Sequence, residues 1–317
     1  MNILITGAFG NIGRSTLRAL AGRGHLVRCL DLPSRTNQRL AAKHAVDCEV
    51  VWGDIRQFED VQRAVHNQEL VLHLAAIIPE LSHTGNKSEQ EPILAHAVNV
   101  GGMRNLIEAV QRMAQPARIV FTSTLHVYGR TQHLPPPRTT ACTVNPVETY
   151  AKQKVMCEQL LRDSGLQWAV FRLAAAIPVQ LVFEKAMFLI PQHNRLEFVH
   201  TRDVGYALAN AVDKPNLWGM VWLIGGGSRC QLTYGCMLNQ VMALIGQKPL
   251  PSSIFSKLDY SVDWLDTQAS QQLLRYQQRT FDDYVSELHT LLGDKLYWLR
   301  LFRPLVRQAL LLRSVLP

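Results

Sequence analysis

The first 175 residues alternate short apolar runs with amphipathic helical segments, and this alternation constrains the fold more than any other feature of the sequence. Continuous apolar runs separated by helices are typical of parallel strands that are covered by helices on both faces. Such connections cross over with a right hand, which predicts a doubly wound α/β sheet of the Rossmann type. The strands that we predict are 2–6, 26–31, 48–52, 70–75, 118–123 and 167–172, and the helices are 12–23, 56–67, 92–114 and 147–164.

The alternation weakens in the second half of the chain. The elements predicted there are an apolar loop over 174–195, a helix over 201–213, a core strand over 219–224, helices over 233–246 and 280–292, and a linker over 247–256. The domains that we predict are a dinucleotide-binding domain over 1–173, to which 197–227 returns, a smaller C-terminal substrate lobe from 174–196 and 228–293, and a basic amphipathic tail over 294–317.

Composition excludes several classes of protein. With 317 residues and 47% hydrophobic content, the chain can bury one large core and a smaller lobe, and 18% charged residues are too few for a disordered chain. The six cysteines form no CxxC pair, and the histidines lack metal-ligand spacing, so we expect reduced thiols and no metal. Met1 leads directly into an apolar first strand, so we expect no signal peptide and a cytoplasmic location.

Positive charge is concentrated at the end of the chain. The net charge is +8, and segment 295–317 contains five basic residues and no acidic one, which leaves +3 for all the preceding residues. A catalytic domain that binds nucleic acid is therefore not indicated.

A glycine-rich turn, 6–13 (TGAFGNIG), directly follows the first predicted strand and opens a helix. Glycines allow a tight turn and let the backbone approach a pyrophosphate, while the helix start offers free N–H groups and a partial positive charge. The position of the turn between a strand and a helix favours a dinucleotide site. The residues that we assign to cofactor binding in this turn are Gly7, Phe9, Gly10, Asn11, Ile12 and Gly13.

Two carboxylates follow the next strands. Asp31 ends the second strand, 18 residues after Gly13, where a carboxylate can bind the adenosine ribose hydroxyls. A carboxylate there would repel a 2′-phosphate, which favours NAD; Arg14 and Arg35 keep NADP open as an alternative. Asp54, after the third strand, is either a contact to the adenine edge or a turn residue.

Tyr150 and Lys154 are four residues apart on a predicted helix, so both side chains lie on one face. A tyrosine is a poor base at its ordinary pKa near 10, but an adjacent ammonium and a positively charged nicotinamide would lower that pKa. Thr124 stands at the end of the fifth strand, where ligands gather, and its hydroxyl can hydrogen-bond the substrate oxygen that Tyr150 protonates or deprotonates.

In sequence order, these motifs resemble the extended short-chain dehydrogenase/reductase family, which contains UDP-sugar 4-epimerases, sugar 4,6-dehydratases and related reductases. The resemblance covers about residues 1–245, as read from the ordered motifs. The matching segments are TGAFGNIG at 6–13, Asp31, GDI at 53–55, HLAA at 73–76, NVG at 99–101, TST at 122–124 with VYG at 127–129, YAKQK at 150–154, FR at 171–172 and FVHxxDV at 198–204.

The resemblance implies roles for individual residues. Tyr150 would be the general acid/base, Lys154 its partner, and Thr124 the hydroxyl that orients the substrate. Asn99 would support the active-site architecture, and His200 would be structural. The remaining residues that we assign to the cofactor are Asp54, Ile55, Leu74, Ala75, Ala76, Asn99, Tyr150 and Lys154. The family also leads us to expect a homodimer.

Departures from the family pattern concern the substrate. The 4,6-dehydratases carry an Asp-Glu pair where this chain has Leu125 and His126, and leucine cannot donate a proton, so that activity is disfavoured. His126 either touches the substrate, since its pKa suits proton transfer, or is a loop histidine. Leu196 replaces a diphosphate-binding arginine, and the apolar stretch before it suits a smaller or more apolar substrate. We take His126 and Arg172 as candidates for substrate contact.

The tail, 296–316, alternates leucines and aromatics with arginines at helical intervals. Arg300, Arg303 and Arg307 fall on one face, with Leu299, Phe302, Val306 and Leu310 away from it. The arginines disfavour a membrane-spanning helix, and Pro304 predicts two short helices. Two hypotheses remain: a basic amphipathic segment on an anionic membrane surface, or a segment docked on its own lobe or on a second subunit.

The sequence therefore predicts an oxidoreductase or epimerase dependent on NAD, with NADP as the alternative, that acts on a small-molecule substrate by hydride transfer at a secondary alcohol or ketone. Two other hypotheses stay open. One is an NAD(H)-binding sensor or scaffold without turnover, against which the intact Thr124, Tyr150 and Lys154 argue. The other is a membrane-associated reductase of a lipid-like substrate, suggested by the apolar stretch and the tail.

Overall fold

The computed structural model describes residues 1–43, 48–79 and 88–315, which fold around a parallel sheet of seven strands. The strands are β1 (Asn2–Thr6), β2 (Leu26–Asp31), β3 (Glu49–Trp52), β4 (Leu70–His73), β5 (Arg118–Thr124), β6 (Trp168–Leu173), β7 (Arg195–Glu197), β8 (Met220–Ile224) and β9 (Gln231–Thr233). The sheet has the order β3-β2-β1-β4-β5-β6-β8, and β7 pairs antiparallel with β9 outside it. The predicted Rossmann-type sheet is confirmed, and every strand predicted from the sequence is present.

The central strands end at one edge of the sheet. Thr6, the last residue of β1, pairs with His73, the last residue of β4, and Thr124 ends the neighbouring β5. The strand order reverses here, since β2 and β4 lie on opposite sides of β1. Ligands of open α/β sheets bind in the crevice at such a reversal, beyond the carboxyl ends of the strands.

Helices cover both faces of this sheet and form the C-terminal lobe. They are α1 (Asn11–Leu20), α2 (Arg35–Ala42), α3 (Phe58–Val65), α4 (Pro92–His96), α5 (Gly102–Gln111), α6 (Thr149–Arg162), α7 (Thr201–Ala211), α8 (Tyr234–Leu244), α9 (Gln268–Leu274), α10 (Phe281–Leu292), α11 (Lys295–Leu301) and α12 (Arg303–Val315). The sequence did not predict α2 or α9, because their polar sequences lack an apolar period. The Ser34 hydroxyl caps α2 by accepting a hydrogen bond from the Asn37 N–H at 3.1 Å.

The long helix predicted over 92–114 is divided. A π-helical turn over Ala97–Gly101 joins α4 to α5 and contains Asn99. Such π-bulges occur mostly at functional sites, where they displace a backbone segment from the regular helix. Residues on β1 alternate between the two layers: Ile3 and Ile5 pack under one face of the sheet, and Leu4 packs under the other.

The C-terminal lobe is fastened to the sheet by buried polar contacts. Glu197 at the end of β7 is fully buried and accepts hydrogen bonds from the backbone N–H groups of Leu265 and Gly227 at 2.8 and 3.0 Å. Asp203 in α7 pairs with Arg279, just before α10, at 2.8 Å. These contacts fix the position of the lobe beside the carboxyl edge of the sheet.

The tail forms two helices, α11 and α12, as Pro304 predicted. Leu296 and Leu310 are buried in an apolar cluster of the lobe with Met242 and Phe188. The tail therefore docks on its own lobe, which was one of the two sequence hypotheses. Within residues 1–43, 48–79 and 88–315, none of the helices combines the length and apolarity that crossing a lipid bilayer requires.

Candidate active site

The glycine turn at the end of β1 is packed so closely against neighbouring backbone that two of its positions have no room for a side chain. Gly7 has φ +67°, and a Cβ on it would lie 2.8 Å from the Cα of Ala75. A Cβ on Gly13 would lie 2.4 Å from the carbonyl oxygens of Gly7 and Ala8. The turn leads directly into α1, whose first N–H groups lie at the carboxyl edge of the sheet. This is the geometry that an anion needs at a helix start.

Asp31 lies beside the turn. Its carboxylate accepts hydrogen bonds from the backbone N–H groups of Phe9 and Leu32, each at 2.9 Å, and from the Asn37 amide at 3.0 Å. Burial raises the pKa of Asp31 above its ordinary value, although the Phe9 and Leu32 N–H groups act in the opposite direction. The carboxylate thus holds the glycine turn in position as well as lying where a ribose would bind.

Thr6 and His73 join the turn to the loop after β4. The Thr6 hydroxyl oxygen accepts from the N–H groups of Leu74 and Ala75, both at 3.2 Å, and lies 2.7 Å from Nδ1 of His73. Because the oxygen already accepts two N–H groups, its own proton goes to Nδ1, and the histidine proton is on Nε2. This network fixes the backbone of Leu74 and Ala75, the first two of the three residues that the sequence analysis assigned to the loop under the cofactor.

His73 should make the protein sensitive to acid. Burial lowers the pKa of His73 to about 3. A lowered folded-state pKa gives stability that is complete above the unfolded pKa near 6.5 and is lost as the pH falls towards the folded value. We expect the free energy of unfolding of the wild type to fall, relative to His73→Asn, by about 1.4 kcal/mol per pH unit below pH 6.5. Urea unfolding across this range measures it; parallel pH dependences would contradict the assignment.

Lys154 is buried under the site. Its ammonium donates to the Thr122 carbonyl at 2.8 Å and lies 4.6 Å from the Phe121 ring centroid and 5.6 Å from the Tyr150 ring centroid. Burial lowers the pKa of Lys154 to about 8, so the amine is mostly protonated at neutral pH. The i, i+4 prediction of a shared face is confirmed.

The expected lowering of the pKa of Tyr150 is wrong for the protein by itself. Burial raises the pKa of Tyr150 above its ordinary value. The physical reason is that the ring is only 8% exposed, while the Lys154 ammonium is held by the Thr122 carbonyl and does not reach the phenol oxygen through any described contact. At neutral pH the phenol is therefore protonated and can donate a proton to a substrate oxygen.

Thr124 ends β5, and His126, two residues later, contacts the ring of Tyr150. The Thr124 oxygen accepts from the backbone N–H of His126 at 3.3 Å, which leaves the hydroxyl proton for another acceptor. The His126 ring meets the rings of Tyr150 and Tyr260 edge-on, at centroid distances of 6.3 and 5.5 Å. Burial lowers the pKa of His126, against the opposing effect of Glu148. His126 thus lies next to the proposed acid/base, as a substrate contact would require.

Sequence analysis missed several residues around Tyr150. Tyr260 and Ser261 reach the site from the C-terminal lobe, and the Ser261 hydroxyl donates to the Glu148 carboxylate at 2.6 Å. Glu89 accepts from the N–H of Tyr150 at 2.9 Å and so caps α6 from outside the helix. No motif could have identified these residues, because they depend on how the lobe packs on the sheet.

Asn99 has a supporting role, as the resemblance implied. Its side chain accepts from the Ile77 N–H at 2.8 Å and donates to the Ile77 carbonyl at 2.9 Å and to the Gln153 amide oxygen at 2.7 Å. The asparagine thereby connects the loop after β4 to α6, the helix that carries Tyr150. His200 is also structural, since its Nδ1 caps α7 by accepting from the Arg202 N–H at 3.2 Å.

Arg172 does not act as predicted. Its guanidinium is buried and makes two hydrogen bonds to the Glu158 carboxylate, at 3.0 and 2.7 Å, and one to the Tyr128 hydroxyl, at 2.9 Å. All of these partners are internal, so the charge supports the sheet beneath the site, and we withdraw Arg172 as a substrate residue. The reason is the fold: Arg172 pairs with Ser123 across β5 and β6, where α6 covers the sheet.

The two cofactor candidates after β3 differ in their surroundings. The Asp54 carboxylate pairs with Arg56, at 2.5 Å in the closest contact, which lowers the pKa of Asp54. Its position at the strand end remains open to an adenine. The Ile55 side chain is buried against α5, where a Cβ on Gly102 would lie 2.8 Å from it. Any contact of Ile55 with a cofactor would therefore come from its backbone.

The described residues contain no group of three or more histidines, cysteines or carboxylates that could hold a metal ion. None of the six cysteines, all of which lie in the described part of the chain, forms a disulfide bond. The groups at the carboxyl edge of the sheet that can donate a proton or a hydrogen bond include the Thr124 hydroxyl, the Tyr150 phenol and the Lys154 ammonium.

The fold and the site define an α/β protein of the dinucleotide-binding type with a tyrosine–lysine pair. Residues 3–182 match the model of the NAD dependent epimerase/dehydratase family, and the chain belongs to this family. Two curated relatives illustrate its range. D-Erythronate dehydrogenase of Cupriavidus necator is 31% identical over 170 residues, or 51% of this chain and 50% of the relative. 3 beta-Hydroxysteroid dehydrogenase/Delta 5-->4-isomerase of Mycobacterium tuberculosis is 33% identical over 166 residues, or 52% of this chain and 43% of the relative.

A solved structure supports the fold over nearly the whole chain. UDP-glucuronic acid 4-epimerase of Bacillus cereus, in complex with UDP-glucuronic acid and NAD, superposes with a TM-score of 0.72 at 19% identity and covers 92% of this chain and 98% of the epimerase. At this identity the likeness concerns the fold alone. The sequence matches span about half, or less, of the length of the curated relatives.

Proposed function

We propose that this protein is an NAD-dependent oxidoreductase or epimerase that transfers hydride at a secondary alcohol or ketone. The observation that supports the proposal is that Lys154, 5.6 Å from the Tyr150 ring centroid, donates to the carbonyl of Thr122 in β5, the strand that Thr124 ends. These residues come from β5 and α6 and lie beside the strand reversal where the glycine turn begins α1. Family membership and the names of both curated relatives favour the same chemistry.

The residues at the edge fit NAD. The turn at Gly7 and Gly13 is so close to neighbouring backbone that a Cβ would fill it, which keeps the space above it for a pyrophosphate. The carboxylate of Asp31 suits the two ribose hydroxyls and disfavours a 2′-phosphate. Arg14, which favoured NADP in the sequence, directs its Nε to the Gly10 carbonyl at 3.4 Å. We therefore propose NAD rather than NADP.

In this proposal the chain binds, orients and exchanges protons. NAD, when bound, supplies a hydride acceptor and donor. The Tyr150 phenol exchanges a proton with the substrate oxygen, and the Thr124 hydroxyl donates a hydrogen bond to that same oxygen. The Lys154 ammonium, held by the Thr122 carbonyl, places positive charge below the site, 5.6 Å from the centroid of the Tyr150 ring.

His126 and Tyr260 form the side of the site that faces the C-terminal lobe. Their rings contact one another edge-on, and His126 also contacts Tyr150. We propose that His126 touches the substrate, while Tyr260 limits its size. The curated relatives are named for D-erythronate and for a 3 beta-hydroxysteroid, so a comparison of these substrates with a UDP-sugar would define the preferred class.

Thr124 provides the test of this function. We expect Thr124→Ala to lower kcat by about 10²-fold, because the hydrogen bond to the reacting oxygen is lost, and Thr124→Ser to keep most of the activity. The measurement is NADH formation with erythronate and with a 3β-hydroxysteroid, and formation of UDP-galactose from UDP-glucose, since epimerisation regenerates NAD; mass spectrometry identifies ligands released from the purified protein. Equal activity of the alanine and serine variants, or wild-type protein that does not bind NAD, would reject the proposal.

A further inference from the structure

The last two helices carry an apolar strip on the surface of the protein. On the side facing the lobe, Leu296 and Leu310 are buried, and Leu299 and Val306 are partly buried. The other side carries six large apolar side chains with exposed fractions between 47% and 64%. These residues, which we call the tail strip, are Tyr297, Trp298, Leu301, Phe302, Leu305 and Leu312.

The tail strip is continuous. Trp298 stacks on Phe302 with a centroid distance of 5.9 Å, and Tyr297 meets Trp298 edge-on at 5.5 Å. Leu305 and Leu312 extend the strip along α12 at helical spacing. Six such side chains, each about half exposed, leave roughly 600 Å² of apolar surface, the upper end of what a monomeric soluble protein shows. A patch of this size indicates a contact with something apolar.

The arginines hold the strip in its outward orientation. Arg300 donates twice to the Leu244 carbonyl at the end of α8, at 3.3 and 3.0 Å. Arg307 donates to the carbonyls of Lys248 and Pro249 at 2.9 and 3.0 Å, and Arg313 bonds the Phe183 carbonyl. Of the apolar residues expected on one face, Leu299, Val306 and Leu310 turn to the lobe, whereas Phe302 is exposed. The lobe contacts, not helix periodicity alone, decide which residues face outwards.

The positive charge of the tail indicates what kind of surface the tail strip contacts. Segment 295–317 contains five basic residues and no acidic one. Lys295 and Arg303 are exposed, and within the described part of the chain their side chains have no hydrogen-bond or ion-pair partner. A symmetric contact between two copies would bring this segment against itself, positive charge against positive charge. An anionic lipid surface supplies the opposite charge and an apolar boundary at the same place.

We infer that the tail strip rests on an anionic lipid bilayer, parallel to its surface. Trp298 and Tyr297 lie at the boundary between headgroups and acyl chains, where aromatic rings with a polar edge are favoured, and Phe302 lies beside Trp298 on the apolar side of that boundary. Lys295 and Arg303 lie at the level of the lipid phosphates. The strip adjoins the segment after β6, because α12 packs against Lys185–Leu189, in which Leu189 is 52% exposed.

Vesicle co-sedimentation tests the inference. We expect the full chain to bind phosphatidylcholine vesicles that contain about 30 mol % phosphatidylglycerol, and to bind pure phosphatidylcholine vesicles much less. The triple variant Trp298→Gln/Phe302→Gln/Leu305→Gln should bind the anionic vesicles at least about tenfold more weakly, since three exposed apolar anchors are lost. The matched control Leu26→Gln/Ile93→Gln/Leu258→Gln removes three apolar residues elsewhere that are more exposed than those of the triple variant, and it should bind as the wild type does.

Binding should also weaken when the salt concentration rises from about 0.1 M to 0.5 M, because salt screens the phosphate contacts. NADH binding is measured without vesicles and should be the same in all variants, so failure of the membrane contact remains distinct from failure of the proposed enzymatic function. Absent vesicle binding, or equal binding by the triple variant and the wild type, would overturn the inference. A wild-type dimer that the triple variant dissociates, without vesicle binding, would also overturn it and assign the strip to a second copy.

Discussion

The variant Tyr150→Phe should lose turnover by about 10³-fold while it binds NADH as the wild type does. Phenylalanine keeps the buried ring and its edge-on contact with His126, but it removes the hydroxyl that exchanges a proton with the substrate. The loss should appear in kcat, because substrate and cofactor contacts elsewhere are unchanged. Steady-state NADH formation and NADH fluorescence titration measure the two quantities separately.

Tyr260→Phe is the matched control for this experiment. Like Tyr150, Tyr260 meets His126 edge-on and has a pKa that burial raises. It lies on the side of the C-terminal lobe, however, and our mechanism assigns it no proton transfer. We expect its activity to stay within about threefold of the wild type, as for the loss of one hydroxyl outside the proton path. The opposite ranking, with Tyr150→Phe active and Tyr260→Phe inactive, would move the acid/base role to Tyr260.

The second large effect concerns stability. Glu158→Leu should lower the free energy of unfolding by about 3–5 kcal/mol, because it leaves the Arg172 guanidinium buried without its counter-charge. Glu158 is 1% exposed and also accepts from the Ser123 hydroxyl at 2.6 Å and from Arg162 at 2.9 Å. Urea denaturation of both proteins at pH 7 measures the change.

Two further variants separate the buried pair from its surroundings. Arg162→Gln removes the more exposed partner of Glu158 and should cost less than about 1 kcal/mol. Glu158→Met/Arg172→Met removes both charges and should recover much of the stability lost in Glu158→Leu. If Glu158→Leu were as stable as the wild type, Arg172 would have found another partner or water, and our account of the pair would fail.

The same pair predicts a pH window. Burial alone would raise the pKa of Glu158, but Arg172, Ser123 and Arg162 together hold it below its ordinary value. The resulting stability is present above the ordinary carboxyl pKa and is lost as the pH falls through the lower folded-state value. His73 acts from pH 6.5 down to about 3, so the loss of stability of the wild type should become steeper below the ordinary carboxyl pKa, where the effect of Glu158 adds to it.

Much of the cofactor site follows from local sequence. The spacing of Gly7 and Gly13, the position of Asp31 at a strand end and the i, i+4 pair of Tyr150 and Lys154 each depend on residues close together in the chain. Local geometry then fixes where their side chains point. For the same reason the strands of the sheet and the two-helix tail could be predicted.

Other properties depend on burial and on partners that are distant in the chain. The sequence made Arg172 a candidate for substrate contact. In the fold, α6 places Glu158 against Arg172, and the two side chains form a buried ion pair. The pKa of Tyr150 was expected to fall, yet burial raises it, since Lys154 is held by Thr122. Tyr260 reaches His126 only because the lobe packs beside the sheet.

The sequence by itself determined the parallel sheet, the glycine turn and the order of the catalytic motifs, because strand alternation and turn chemistry act over a few residues. Tertiary structure alone decided which charges are paired, which groups are desolvated and which face of the tail points outwards. The physical reason is that desolvation and ion pairing depend on the surroundings of a side chain, and packing between distant segments creates those surroundings.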